Sequence, residues 1–201
     1  MPVPPSRGHR HQTVRVHPAL VYLPGDRLSL TELGAARLDG HVVEVGEGFL
    51  PADTVEGPEA RALSLSVLIP PGGALCGPSA AWVHGAGDLP PARHHVCRAS
   101  PGTPRLRPGA RIVTHQAALA PAQTLWLAGV PVASAEVVAM SLASAAGRDP
   151  ESAEWLRALV EISPGLAART HEALAARSRT PGRRQALELL SGLIDQDVVT
   201  R

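Results

Sequence analysis

The residues best able to do chemistry gather in one stretch: Cys76, His84, His94, His95 and Cys97. Thiolate and imidazole together suit zinc, and a Cys with a His in hydrogen-bond reach inside a pocket suits nucleophilic catalysis. The spacing supports neither strongly. No C-x-x-C or H-x-x-x-H pair is present, and strand alternation places His95 and Cys97 on one face with His94 on the other. His84 precedes Gly85, as a His does in the last turn of a helix, where the dipole favours it and Gly supplies the stop. Ser79 has no G-x-S-x-G elbow around it, and Asp195 and Asp197 have no partner that would mark a site. The reading is no catalytic residue, no metal and no cofactor. A small hydrolase pairing His84 with Cys76 or Cys97 is the enzymatic alternative.

One omission excludes more than any motif includes. All 19 basic residues are Arg, and the chain has no Lys. A P-loop needs a Lys on its phosphates, kinases need one on their third strand and pyridoxal enzymes need one for the Schiff base. The net charge of +1 falls short of a strongly basic nucleic-acid binder, but the charge is unevenly spread. Residues 24–57 hold Arg27 and Arg37 against seven acids, Glu44 and Glu47 among them, whereas residues 58–147 are net positive. Arg93, Arg98, Arg105, Arg107 and Arg111 crowd one segment, and Arg177, Arg179, Arg183 and Arg184 another. Either group could hold phosphate by bidentate hydrogen bonds and charge, or could form a solvated face paired with scattered acids.

The elements that must carry these residues are punctuated by Pro and Gly. Leu, Val, Ile and Phe make up about a quarter of the chain, enough for a core. No apolar run reaches the roughly 18 residues of a membrane span and no signal peptide is evident, so the expected location is cytoplasmic, where the two cysteines stay reduced. Residues 1–23 read as a tail, with Arg7, Arg10 and Arg15 and no acid. Ser29 and Glu32 form a capping box that opens a helix with Leu30, Leu33 and Leu38 as its apolar stripe, up to Asp39-Gly40. Val42, Val43 and Val45, a turn at Gly46-Glu47-Gly48, and Phe49-Leu50 predict a hairpin. A helix followed by a hairpin is the closing half of a winged helix. Further helices are predicted at Gly57-Pro58, Gly77-Pro78, Asp149-Pro150, Ser163-Pro164 and Thr180-Pro181, each with Pro at the start, and at Ser134. Residues 93–98, 110–114, 124–127 and 130–133 predict four short strands. The fold class is α+β: a small partial winged-helix unit (24–57), then a helix-rich α+β domain (58–201) with a four-stranded sheet and C-terminal helices.

Three phrases in order carry a family resemblance: Asp39-Gly40-His41-Val42-Val43-Glu44-Val45-Gly46-Glu47-Gly48-Phe49; Leu68-Ile69-Pro70-Pro71-Gly72-Gly73 leading to Ser79-Ala80-Ala81-Trp82-Val83-His84-Gly85; and Gly129-Val130-Pro131-Val132-Ala133-Ser134. Over about residues 28–194 the chain resembles the AbiEi antitoxins and transcriptional regulators of type IV toxin–antitoxin systems. The resemblance implies a winged helix on operator DNA, a C-terminal antitoxin domain, a nucleotidyltransferase-like toxin as partner, and a possible homodimer. Relatives carry Arg where Glu44 and Glu47 stand, so this wing is expected to repel phosphate. Candidate DNA contacts are Arg37, His41, Arg93, Arg98, Arg105, Arg107, Arg111, Arg183 and Arg184. The alternative is a degenerate member working as a protein-interaction module, with the acidic wing as its docking face.

Overall fold

In a computed structural model describing residues 20–178 and 180–199, the capping box closes as its spacing requires. The Ser29 hydroxyl accepts the Glu32 N–H at 3.3 Å, and the Glu32 carboxylate accepts the Ser29 N–H at 2.8 Å, starting α1 (Leu30–Leu38). The stripe predicted on this helix is only partly used. Leu33 is buried, while Leu30 and Leu38 remain 64% and 82% exposed, because α1 is the first α-helix among the described residues and no earlier one covers that side.

The hairpin follows as β1 (Val42–Val45) and β2 (Gly48–Pro51), antiparallel with Val45 opposite Gly48. Its two-residue turn needs a positive φ at the first position, which Gly46 supplies at +56°. Tyr22 adds an edge, exchanging two 2.9 Å backbone bonds with Phe49; residues 20–23 thus pack on the hairpin, and residues 1–19, including Arg7, Arg10 and Arg15, lie outside the described residues. The hairpin has two faces of different allegiance. Val42 and Phe49 pack with Leu33 in a small cluster, whereas Val45 and Leu50, with Val21, join the main core.

Beyond the hairpin come α2 (Pro58–Ser64), β3 (Gly73–Leu75), α3 (Gly77–Val83), β4 (His94–Arg98), β5 (Ile112–Ala118), β6 (Thr124–Leu127), β7 (Val130–Ala133), α4 (Ala135–Ala145), α5 (Pro150–Glu161), α6 (Leu166–Ala175) and α7 (Arg183–Val199). The sheet has five strands, in the order β5-β4-β3-β7-β6, which corrects the four-stranded expectation. The missed strand is the central one. β3 is three residues long and buried throughout, so it shows neither the length nor the alternation by which a strand is read from sequence. It pairs antiparallel with β4 and parallel with β7. The Ala128-Gly129 turn of the β6–β7 hairpin has both residues at positive φ, the requirement of a type I′ turn. The Pro-marked starts at Pro58 and Pro150 open α2 and α5 directly; after Pro164 and Pro181 the chain makes one turn first, with α6 and α7 beginning at Leu166 and Arg183.

Glu47, at the hairpin tip, ties the two parts together. Its carboxylate accepts from the Arg111 guanidinium and lies 3.3 Å from Nε2 of His94 on β4. The Arg111 hydrogen bond holds the Glu47 carboxyl below the ordinary carboxylate value. Burial pushes His94 below the ordinary imidazole value despite Glu47, so His94 is neutral at pH 7 and donates from Nε2, leaving Nδ1 buried without a partner. Removing Glu47 leaves two buried polar atoms on His94 unpaired. Substitution Glu47→Ala is expected to cost about 1–3 kcal/mol, read as a lower midpoint in urea unfolding, while the equally acidic but exposed Glu44→Ala should stay within about 0.5 kcal/mol of the parent.

Candidate nucleic-acid interface and a histidine-lined cavity

The nine candidate phosphate contacts divide by what their side chains already do. Arg98 donates from Nε to the Gln116 carbonyl at 3.0 Å and from one terminal nitrogen to the Thr103 and Pro101 carbonyls at 3.0 and 3.5 Å, pinning the loop after β4. Arg183 donates to the carbonyls of Leu174 and Ala175 at 3.3 and 2.7 Å, satisfying groups that the end of α6 leaves open. Arg111 is held by Glu47, Arg37 pairs with Glu44 at 3.4 Å, and Arg184 pairs with Glu188 one turn along α7 at 3.5 Å. Arg93 gives one bond, to the Ile112 carbonyl at 3.1 Å, and His41 is exposed where the chain enters β1. Arg179, from the second cluster, lies outside the described residues.

Arg105 and Arg107 differ from the rest. They flank Leu106, which is 7% exposed and embedded in the main core, and the Leu106 carbonyl accepts from the Gln116 amide at 3.2 Å. The anchor between them fixes the backbone, and both arginines stand exposed on it with no ion pair or hydrogen bond to the described residues. The hairpin, by contrast, has engaged several of its acids. Glu44 and Glu47 are paired as above, Glu56 is paired with Arg61 and Glu32 caps α1, so the tip faces the protein, while Asp39 and Asp53 stay exposed with no ion pair among the described residues and the segment keeps a negative balance.

The phrase Ser79–Gly85 turns out to be a joint. β3 ends at Leu75, and the Ser79 hydroxyl accepts the His95 N–H at 2.7 Å, supplying the partner the strand no longer provides. Trp82 is buried under the Arg61 guanidinium, 4.9 Å from its ring, and Arg61 donates to the Trp82 carbonyl at 2.7 Å. His84 ends α3 with Nε2 2.7 Å from the Ala133 carbonyl of β7, and burial pushes it below the ordinary imidazole value. Gly85 takes φ +107° just past the helix end. His84 therefore does not border the cysteines.

His95 does, together with a residue the sequence reading passed over, His115. Cys97 and His115 are register partners on the parallel pair β4–β5, and His95 Nδ1 lies 3.0 Å from His115 Nε2 with the rings stacked at 5.1 Å. No sequence spacing reveals this pair, since the register of two parallel strands 18 residues apart decides it. They border a cavity of about 240 Å³ with Cys76, Cys97, Asp149 and Ser152, whose remaining wall is mostly apolar, with Leu119, Val137, Val138 and Leu142, and includes Ser141, whose hydroxyl donates to the Val138 carbonyl at 2.9 Å. The two neighbouring thiols shift each other, Cys76 up and Cys97 down from the ordinary thiol value. The Ser152 hydroxyl donates to Asp149 at 2.5 Å. Burial holds His95 down to about 4, and His115 below its ordinary value. Among the described residues, no group of three or more His, Cys, Asp or Glu is placed to hold a metal ion.

The helix and hairpin are seated on an α+β body, and buried polar groups serve as joints between the elements. Residues 73–194, more than half of the chain, match the family described as AbiEi antitoxin C-terminal domain, and the chain belongs to the AbiEi antitoxin family. No curated protein matches the chain. Among solved structures, the RV2827C protein from Mycobacterium tuberculosis is similar at 19% identity and a TM-score of 0.42, covering 83% of this chain and 64% of its own; this chain thus spans under two thirds of that protein's length. No helix among the described residues is long and apolar enough to cross a membrane.

Four histidines, His84, His94, His95 and His115, are held below their ordinary value chiefly by burial. Unfolding releases them to the ordinary 6.5, so between pH 6.5 and about 4 the unfolded chain binds protons that the folded chain does not, and stability falls as pH falls. Urea midpoints should drop steadily through this window, and His95→Asn should flatten the dependence by up to about 1.4 kcal/mol per pH unit; an unchanged slope would show that His95 is not held neutral.

Proposed function

We propose that this antitoxin is a non-enzymatic, cytoplasmic regulator that binds operator DNA through the Arg105–Arg107 segment of its C-terminal body, with a nucleotidyltransferase-like toxin as its protein partner and a homodimer as the DNA-bound form. The observation that carries the reading is the pairing pattern. Of the eight arginines among the nine candidates, only Arg105 and Arg107 combine exposure, a fixed backbone and the absence of any acid or carbonyl partner among the described residues. Arg93 and Arg184, also exposed, supplement them at the cost of weak existing contacts. Arg37, Arg98, Arg111 and Arg183 add positive field, but their hydrogen bonds are committed. His41 flanks the hairpin and would contact DNA only if the wing approached it.

The absence of Lys supports a role without catalysis by removing the phosphate-binding and Schiff-base chemistries named above. A second reading has its own observation. Leu30 and Leu38 of α1 and Val43 of β1 are each exposed large apolar side chains, so the unit could instead serve as a protein-interaction module.

Fluorescence anisotropy with the protein's own promoter DNA tests the first reading. Affinity should fall with salt with a log–log slope of about −0.9 per phosphate neutralised, and Arg105→Ala/Arg107→Ala should shallow that slope by about 2, whereas Arg98→Ala should lower stability and change the slope by less than either of them. No binding at low salt, or a double variant that binds as the parent does, removes the DNA assignment and favours the interaction module.

A further inference from the structure

We infer that the cavity between α4 and the sheet is a binding site for a small, uncharged, planar heteroaromatic molecule, read by the His95–His115 pair. This inference stands apart from DNA binding and from toxin binding. Its first support is the space itself. Protein interiors are close-packed and keep few voids larger than a water molecule, yet here about 240 Å³ is left beside α4, in a wall of Ala133, Val137, Val138 and Leu142. An engineered apolar cavity of about 150 Å³ in another protein admits benzene, so a one- or two-ring molecule fits this one. The cavity opens past His115 and Ala117, both on the exposed stretch of β5, so a ligand can enter without unfolding.

The polar groups set the ligand's chemistry. His95 Nδ1 and His115 Nε2 share one hydrogen bond. If His95 donates, its Nε2 is left an acceptor and His115 Nδ1 a donor; if His115 donates, the roles exchange. Either tautomer leaves the neutral pair with one donor and one acceptor for a bound molecule. Both rings are kept neutral by burial, and the lining includes one carboxylate, Asp149, and no cation. An anion finds nothing to pair with, and an uncharged ring bearing its own donor and acceptor is matched. Sites with a mostly apolar wall and a few placed polar groups are the usual form of small-molecule pockets.

The test uses 7-azaindole, which has an N–H donor beside a ring-nitrogen acceptor, with indole and benzoate as comparisons, titrated into the ¹⁵N-labelled full chain. Saturable shifts confined to residues 76–78, 95–97, 115–119, 133–145 and 149–152, with 7-azaindole tighter than indole and benzoate silent, are expected. Ala117→Trp at the exposed mouth should abolish the shifts while leaving the rest of the spectrum unchanged. His115→Ala should keep indole binding and erase the preference for 7-azaindole. If Ala117→Trp perturbs the fold, Ala145→Phe blocks the same space from the last turn of α4 and is read the same way. Absence of saturable shifts up to the solubility limit, benzoate binding as well as 7-azaindole, or unchanged binding in both blocking variants would overturn the assignment.

Discussion

The carboxylate of Glu47 is the contact on which the arrangement of this chain depends. It stands at a hairpin tip that sequence alone places on a separate acidic unit, and it reaches His94 and Arg111 of the body. The geometry behind it is narrow. Gly46 must take φ +56°, and a Cβ there would run into the Ser64 side chain of α2, so the tip is seated against the helix that leads into the body. Val45 and Leu50 then enter the same core as the central sheet. A surface ion pair would be worth little, but His94 is nearly buried and its ring depends on Glu47 for its only hydrogen bond.

That seating changes what the acidic residues mean. Counted along the sequence, they make the hairpin repellent to phosphate. In the folded chain most of them are engaged: Glu32 on a helix start, Glu44 on Arg37, Glu47 on the body and Glu56 on Arg61. Several arginines are consumed likewise, Arg98 and Arg183 by carbonyls that would otherwise be open. Among the charges that remain available are Arg105 and Arg107, whose backbone Leu106 fixes. Net charge over a segment is therefore a poor guide to which surface can meet a polyanion, and partner accounting residue by residue is a better one.

Local chemistry was legible in the sequence wherever it was strong. The Ser29–Glu32 box, the Val-rich hairpin with its Gly turn, the strands at 124–127 and 130–133, and the Pro-marked starts of α2 and α5 all stand where their residues indicate. β3 was not legible, since three buried residues carry no period. The structural reading of His84 and the opposed faces of His94 and His95 were accessible from capping and alternation, and the bonds to Ala133 and Glu47 agree with both. His115 was not accessible, because its meeting with His95 is set by strand register between β4 and β5. The family phrase around Trp82, which carries the resemblance, is structural: its Ser, Trp, His and Gly each close a joint between α3 and its neighbours.

The seating of the hairpin is tested most directly by native-state amide hydrogen exchange on the backbone N–H groups of Val45 and Leu50 compared with those of Val96 and Cys97. If Glu47 and the shared core join the hairpin to the body, the four amides exchange through one global opening with the same free energy, and Glu47→Ala lowers that energy for Val45 and Leu50 first. Hairpin amides that open independently of the sheet in the unaltered protein, at a free energy insensitive to residue 47, would contradict the account.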